Sequence, residues 1–260
     1  MNYLEEYYGS YDEEGRLLSR HGQVEYLTTM KYIGKCLEGI SDPGILEVGA
    51  GTGRYSVTLA KQGLRVTAVE LIEHNLEILR SKLDGTEPIT TIRGNALDLS
   101  QFSDDSFDLT MVLGPMYHLY TKEEKLKALS EAVRVTKPGG HILVAYCMNE
   151  PTVIQYIFGL NHLHEVMELN MLTSDWHCIS EPKDVFELVR TEDIADLDAA
   201  VPVRRIKLVA ADGAANYKRE YIDAMDDETF AKWMEYHFVI CERQDLIGAS
   251  HHTLDILRKM

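Results

Sequence analysis

One stretch restricts the chain more than any other: Ile45-Leu46-Glu47-Val48-Gly49-Ala50-Gly51-Thr52-Gly53-Arg54-Tyr55-Ser56. A short apolar run reads as a buried strand, three alternate glycines as a sharp turn, and the residues from Tyr55 to Gln62 as a helix. Glycine leaves out Cβ where backbone bends and where a ligand must approach the main chain. The helix start then turns free N–H groups toward that ligand. A dinucleotide fingerprint would need G-x-G-x-x-G, with a pyrophosphate on the helix start. Here Arg54 holds the place of the last glycine, the spacing is G-x-G-x-G, and Glu47 stands two residues before Gly49. That variant suits a nucleoside without phosphates.

A strand that feeds such a turn needs parallel neighbours, and residues 45–147 supply them as a β-α repeat. The expected strands are Ile45–Val48, Arg65–Val69, Ile89–Ile92, Phe107–Leu113 and His141–Tyr146. Their near-continuous apolar character fits strands covered on both faces. Helices are expected at about Tyr55–Gln62, Glu73–Leu83 and Thr121–Thr136, the last opened by the capping box Thr121-Lys122-Glu123-Glu124 and stopped by Pro138-Gly139-Gly140. Ligands in doubly wound sheets lie beyond the carboxyl ends of the strands, so the residues after each strand carry the information. Glu70 follows the second strand, about 20 residues past the first glycine, where an acid accepts both hydroxyls of a ribose. Asn95, in Gly94-Asn95-Ala96-Leu97-Asp98, can offer its amide oxygen to an adenine amino group, or simply shape a turn; Asp98 is a weaker candidate for the same contact. Leu113 and the following Gly114-Pro115-Met116-Tyr117-His118 face the reacting end.

These stretches together resemble the class I S-adenosylmethionine (SAM) methyltransferases. Ile45–Tyr55 is similar to motif I, Val66–Leu71 to the ribose motif, Gly94–Leu97 to the adenine motif, Phe107–Leu119 to motif IV and Val133–Val144 to the closing "lkPGG.l" motif. The leader Tyr7-Tyr8-Gly9-Ser10-Tyr11-Asp12-Glu13-Glu14-Gly15-Arg16-Leu17-Leu18 resembles a subgroup of bacterial small-molecule methyltransferases. The resemblance implies a Rossmann-like, doubly wound α/β fold: a mainly parallel seven-stranded sheet with helical cap insertions. It implies SAM as cofactor, S-adenosylhomocysteine (SAH) as product, and Glu47 with the backbone at Gly49 and Gly51 on the methionine portion. The expected cofactor set is Arg20, Glu47, Gly49, Ala50, Gly51, Gly53, Glu70, Leu71, Asn95, Ala96, Leu97 and Leu113. Enzymes that methylate base or glutamine amides carry (D/N)-P-P-(Y/F/W) in motif IV; here the tetrad is Gly114-Pro115-Met116-Tyr117, with no acceptor at its head.

Outside the core, residues 1–40 are expected as an N-terminal helical lid, in which Tyr3, Tyr7, Tyr8, Tyr11 and Arg20-His21 close over the ligand, unless the helix from about Leu17 to Leu37 only packs on the sheet edge. Residues 148–260 are expected to add cap insertions at about 150–180 and 215–245 to the last helix and strands of the core. Single helices are expected at Pro151–Leu169, Val185–Ala199 and Tyr217–Ile240, with a strand at Arg205–Ala210; the family resemblance implies a last strand at about His252–Leu257, antiparallel in the sheet. Long connections in compact domains usually serve function, hence a cap over the substrate, unless the inserts extend the core or form a dimer contact.

Methyl transfer from a sulfonium is an in-line displacement, helped mainly by alignment and exclusion of water. A base is needed only if the acceptor arrives protonated; His118, with Tyr117 beside it, is the best-placed candidate, although a histidine there can equally pack against the next helix. His164 with Glu168, or His237 with Cys241, would give two ligands on one helical face, too few for a metal, and none is expected. A formal net charge of −16 and no Lys/Arg run argue against nucleic acid and anionic membranes as partners. No apolar run approaches the roughly 20 residues that span a bilayer. The acidic start is no signal peptide, and Cys36, Cys147, Cys178 and Cys241 lack C-x-x-C spacing, as in a reduced cytoplasmic protein. The expected partner is a small-molecule methyl acceptor, on a monomer or homodimer. The rival readings are an NAD(P)-dependent oxidoreductase, disfavoured by Arg54, and a non-catalytic SAM-binding module.

Overall fold

The apolar runs read as strands come together in one sheet. The computed structural model describes residues 3–11, 15 and 17–260; Asp12-Glu13-Glu14 and Arg16 of the leader motif lie outside the described residues. In chain order the elements are α1 (Tyr3–Ser10), α2 (Arg20–Leu37), β1 (Gly44–Val48), α3 (Arg54–Lys61), β2 (Arg65–Glu70), α4 (Glu73–Ser81), β3 (Ile89–Arg93), β4 (Phe107–Val112), α5 (Lys122–Val135), β5 (Thr136–Cys147), α6 (Asn149–Thr152), α7 (Leu163–Glu168), α8 (Thr191–Ala199), β6 (Val203–Ala210), α9 (Arg219–Asp223), α10 (Asp227–Ile240), α11 (Gln244–Ile247) and β7 (His252–Lys259). The strand order is β3-β2-β1-β4-β5-β7-β6. β1 to β5 are parallel, and β7 runs antiparallel between β5 and β6. This is the doubly wound, mainly parallel seven-stranded sheet that the sequence implied.

Both faces of the sheet are covered. On one, Leu46, Val48, Ile142 and Val144 pack against Ala128, Leu129 and Ala132 of α5 and Ile194 and Leu197 of α8. On the other, Ile45, Leu109, Met111 and Leu143 meet Tyr32 and Ile33 of α2 and Leu59 and Ala60 of α3. Strands buried on both sides need apolar residues at successive positions, which is why they carry no clean alternation. Local signals set the helix starts. Thr121 Oγ1 accepts from Glu124 N at 3.1 Å while the Glu124 carboxylate accepts from Thr121 N at 3.2 Å, the expected capping box. Ser19 Oγ accepts from Gly22 N at 3.2 Å, so α2 begins at Arg20 rather than Leu17.

Three expected helices are corrected. Residues 185–190 are not helical, and only Thr191–Ala199 is. Val189 N donates to Cys147 O at 3.0 Å and Asn149 N to Val189 O at 2.9 Å, so this segment runs beside the end of β5. Leu188 and Val189 are buried there by strand-like contact, and their apolar spacing imitates a helix. The Asp193 carboxylate accepts from Arg190 N at 2.7 Å and starts α8. The expected helix Pro151–Leu169 breaks into α6, a π-helical turn (Val153–Gly159) and α7, separated at Gly159-Leu160-Asn161, where Asn161 has φ 62°. The expected helix Tyr217–Ile240 breaks at Asp226, whose side chain accepts from Thr229 N at 2.8 Å to cap α10.

The register fixes where the added segments sit. Cys147 pairs with His252, and Ala210 with Thr253. Residues 148–190 and 211–251 therefore both leave from the sheet edge at which β1 to β4 end.

Candidate functional site

The carboxyl ends of β1 to β4 surround a cavity of about 380 Å³. Glu47, Gly49, Ala50, Gly51, Glu70, Leu71, Asn95, Ala96, Leu97, Leu113, Tyr117 and His118 all line it. Gly53 and Arg20 do not. Gly53 starts α3 at φ 85°, and a Cβ there would lie 2.5 Å from Leu79 Cγ, so it seats α3 on α4. Arg20 Nη2 is 2.6 Å from Asp227 Oδ1, and its guanidinium lies over the Phe230 ring at 5.3 Å. The start of α2 packs on the second added segment, and that takes Arg20 out of the cleft.

The turn after β1 explains its glycines. Gly49 and Ala50 both donate N–H to Val69 O, at 2.8 and 3.0 Å, which folds the turn onto β2. Gly49 has φ 76°, and a Cβ there would fall 2.5 Å from Pro115 Cδ. Gly51 N donates to Glu70 Oε2 at 2.7 Å, and Ile72 N to Oε1 at 2.8 Å. The Glu70 carboxylate, 5% exposed, is thus held at the cavity wall at the end of β2. Glu47 is fully buried; burial pushes its carboxyl up to about 8, and the Ser56 hydroxyl donates to it. Asn95 Oδ1 accepts from Leu97 N at 3.0 Å, an Asx turn that leaves the amide NH₂ to donate. Asp98 Oδ1 accepts from Ser100 N at 3.0 Å, and Asp98 is not in the cavity wall.

Sequence reasoning missed several lining residues, of which Arg54 and Tyr8 matter most. Arg54 lines the cavity at the start of α3, with its guanidinium 4.5 Å over the Tyr26 ring. Its Nε is buried and meets no hydrogen-bond partner among the described residues. A half-buried cation with one buried, unused donor suits an anionic group. The signal was available, because Arg54 was weighed only as a missing glycine. Tyr8 reaches in from α1, and its hydroxyl is 2.9 Å from His118 Nε2.

That contact settles how His118 is protonated. His118 Nδ1 lies 2.8 Å from the Val185 carbonyl, which can only accept, so Nδ1 carries the hydrogen and Nε2 accepts from Tyr8. Burial lowers the His118 pKa to about 4, so the ring is neutral. A weak base of this kind is a poor proton acceptor but a good hydrogen-bond acceptor. Val185 adopts φ 68°, a conformation that β-branched residues avoid, and its carbonyl also accepts from Tyr120 Oη at 2.7 Å. Tyr117 Oη donates to Leu113 O at 3.0 Å.

A second cavity, of about 970 Å³, adjoins the first, and Tyr8 and Tyr117 line both. One part is aromatic and aliphatic: Tyr7, Tyr11, Tyr156, Ile157, Val166, Met171, Phe186 and Leu188. The other is polar: His21, Glu25, Asn216, Arg219, His251 and His252. Among the described residues, one group brings three metal-type ligand atoms within 4.8 Å of one another: Glu25, Asp212 and His252. Asp212 is saturated, however. Oδ1 accepts from Ser250 Oγ at 2.6 Å and His252 N at 3.2 Å; Oδ2 accepts from His252 Nδ1 at 2.8 Å and from Asn216 Nδ2. Four donors leave no lone pair for a cation, and the group is a hydrogen-bonded ion pair around His252.

Comparison with known proteins agrees with this geometry. Residues 46–144 match the family described as "Methyltransferase domain". The chain is 32% identical over 149 residues to a demethylmenaquinone methyltransferase of Clavibacter sepedonicus, covering 57% of this chain and 58% of the relative. It is 24% identical over 169 residues to a ubiquinone biosynthesis O-methyltransferase of Alkalilimnicola ehrlichii, covering 64% and 66%. Both alignments span less than two thirds of the relative's own length. The crystal structure of a SAM-dependent methyltransferase from Methanosarcina mazei superposes with a TM-score of 0.59 at 16% identity, covering 88% of this chain and 97% of that one. No helix among the described residues is long and apolar enough to cross a membrane.

Proposed function

Residues 46–144 form a class I SAM-dependent methyltransferase domain, and from that premise we propose that the protein moves the SAM methyl group to an oxygen, nitrogen or sulfur atom of a small, largely apolar, ring-bearing acceptor. One observation carries the reading: the two cavities share Tyr8 and Tyr117, so whatever occupies the larger one abuts the reacting end of the smaller one. The relatives named for demethylmenaquinone and for ubiquinone biosynthesis are consistent with an acceptor of this kind.

The cofactor, SAM, supplies a methyl group on a positively charged sulfur. The residues present fit it. Glu70, an acid held at the end of β2 by Gly51 N and Ile72 N, would accept from the ribose hydroxyls. Arg54, with its unused Nε, and the turn Gly49–Gly51 would hold the methionine end. Asn95, Ala96 and Leu97 would flank the adenine, to which the Asn95 NH₂ would donate. A side chain at position 49 would collide with Pro115, which lines the same cavity, and so distort the turn. Tyr8, fixed by the neutral His118, positions the acceptor, and the Val185 carbonyl holds His118 in the tautomer that permits it. α1 acts as the lid over both cavities, and residues 148–190 and 211–251 roof the larger one. Excluding water there favours displacement over hydrolysis.

Calorimetry with SAM and SAH, followed by transfer of labelled methyl to a panel of phenols, amines and thiols, tests the proposal. SAH binding together with labelled product from one acceptor class is expected. SAH binding with no product from any class would leave a regulatory SAM-binding module as the better account.

A further inference from the structure

We propose that the larger cavity binds a carboxylate at the end away from Tyr8 and Tyr117, gripped by Arg219 and His251, so that the acceptor is a ring that carries an acid group. This rests on the small-molecule reading above and narrows it to a substrate class.

Hydrogen bonds left unmade mark the place. Ala215–Lys218 form a 3₁₀ turn, and α9 begins at Arg219. Asp212 Oδ2 accepts from Asn216 Nδ2, and Asn216 Oδ1 accepts in turn from Arg219 Nε at 2.9 Å. This relay steadies the guanidinium, which is exposed at the cavity rim, and its η nitrogens donate to no acceptor among the described residues. His251 lines the same cavity; its Nδ1 is buried in the wall without a partner. The Tyr217 ring lies 5.0 Å from the His251 ring, and its hydroxyl is also buried without a partner. Buried polar atoms are rarely left so, and here they cluster. All three side chains can donate: the guanidinium, the phenol, and a neutral imidazole through whichever nitrogen finds an acceptor. A wall of idle donors calls for an anionic oxygen group.

The acids of this end do not answer that call, because they are engaged by His252. Its Nδ1 lies 2.8 Å from Asp212 Oδ2 and 3.4 Å from Glu25 Oε2, and its side chain also meets Cys147. Against burial, Glu25, Cys147 and Asp212 raise the His252 pKa well above the usual histidine value, so the ring is an imidazolium. Arg219 has no such counter-ion: among the described residues it pairs with no carboxylate. His251 senses both cations. Burial, helped by His252 and Arg219 and opposed by Asp212, lowers its pKa to about 4, which leaves it a neutral donor or acceptor. A carboxylate set between Arg219 and His251 supplies the missing charge, and its two oxygens match the paired N–H groups of a guanidinium.

Register places this end away from the transfer point. Val144 of β5 pairs with Val112 of β4, so Cys147, three residues further on, lies level with the turn that carries Leu113 and Tyr117. His252 pairs with Cys147, and His251 precedes it. Strand spacing of about 4.8 Å sets β7 roughly 10 Å from β4, across β5. A ring with a short acid-bearing chain spans that gap. The aromatic and aliphatic part of the cavity, with Phe186 and Leu188, seats the ring, while the acid end fixes which ring atom faces the smaller cavity.

The probes are 4-hydroxybenzoate, 4-hydroxyphenylacetate and 3-(4-hydroxyphenyl)propanoate, each measured against its own methyl ester by calorimetry, with and without SAH. At least one acid is expected to bind roughly three- to tenfold more tightly than its ester, a margin that shrinks at high salt. Arg219→Gln should leave SAH affinity unaltered and bring that acid down to the level of its ester; His251→Gln should remove a smaller part of the margin. If Arg219→Gln does not fold, the acid–ester margin in the wild type and its salt dependence decide alone. Equal affinity for every acid and its ester, a margin that survives in folded Arg219→Gln, or no binding of any acid would each overturn the proposal. So would tighter binding of tyramine, a cation that Glu25 and Asp184 of the same cavity would attract. An acid that binds with the expected margin but takes no labelled methyl from SAM upholds the subsite and counts against the transferase reading. Failure to bind SAH defeats the cofactor reading, and the comparison made without SAH still tests the subsite.

Discussion

The two cavities are built in different ways. The smaller one is drawn by backbone: strand ends, a glycine turn and the N–H groups of Gly49, Ala50 and Gly51, whose positions follow once the sheet forms. The larger one is drawn by side chains from α1, α2 and the two added segments, which share no repeating pattern. A site set by backbone can be read from residue spacing, because spacing is what fixes backbone. A site set by side chains on irregular segments cannot. The same contrast should separate the effects of mutations.

The largest expected effect is at the glycine turn. Gly49→Ala places a methyl group 2.5 Å from Pro115 Cδ and forces an alanine to φ 76°. The left-handed conformation costs about 1–2 kcal/mol, and overpacking about 1–3 more. A loss of about 2–5 kcal/mol in denaturant unfolding, with SAH affinity reduced alongside, is expected. A variant as stable as the wild type would break the claim that backbone sets the smaller cavity.

Acid comes next, and it acts on both cavities. Burial lowers His118, His237 and His251 to about 4, whereas in the unfolded chain each titrates near 6.5. Across that window the unfolded chain binds more protons, so stability falls as pH drops from about 6.5 to 4. Each histidine contributes at most about 3 kcal/mol. Melting curves at several pH values should show this, and His118→Gln and His251→Gln should each flatten part of the fall. Glu47 works in the opposite sense. Its carboxyl is raised to about 8, so the stability it lends in the neutral form is lost as pH climbs from about 4.5 to 8, and Glu47→Gln should remove that slope.

Glu70→Ala sharpens the contrast from the cofactor side. Charge-assisted hydrogen bonds contribute about 1–3 kcal/mol, so SAM affinity should fall by that much while the fold survives. An unchanged calorimetric Kd in the folded variant would take Glu70 out of the site.

What was legible in the sequence follows the same division. Glu47, Glu70 and Asn95 line one cavity, as expected of residues that follow parallel strands which must all end at the same sheet edge. The capping box at Thr121 followed from local chemistry, and the antiparallel last strand from the family resemblance. The helix expected at Val185–Ala199 failed because Leu188 and Val189 bury their side chains by lying beside β5, a contact that no local pattern announces. The long helices expected in both added segments failed at Gly159 to Asn161 and at Asp226, stop and start signals that continuous apolar spacing overrode. Tyr8 and the Asp212–His252 pair stayed hidden because their partners lie more than 30 residues away in sequence, at His118, and across β6 and β7.

Tyr8→Phe probes the wall common to both cavities. It removes the hydrogen bond to His118 Nε2 and keeps the ring. A loss of about 0.5–1.5 kcal/mol, roughly three- to tenfold in kcat/KM for the acceptor, is expected, with SAH affinity unaltered. A fall confined to SAH binding would move Tyr8 wholly into the smaller cavity.

The smallest effect belongs to Arg20, which sequence reasoning placed on the cofactor and the structure places against Asp227. Asp227 is almost fully exposed, and exposed ion pairs are worth about 0–1 kcal/mol. Arg20→Ala should therefore leave SAM affinity unchanged and lower Tm only slightly, through the lost pair and the lost contact with Phe230. A tenfold weaker Kd for SAM, with stability intact, would mean that the start of α2 swings over the smaller cavity when it fills. The division between a backbone-built cleft and a side-chain-built cavity would then hold only until the cofactor binds.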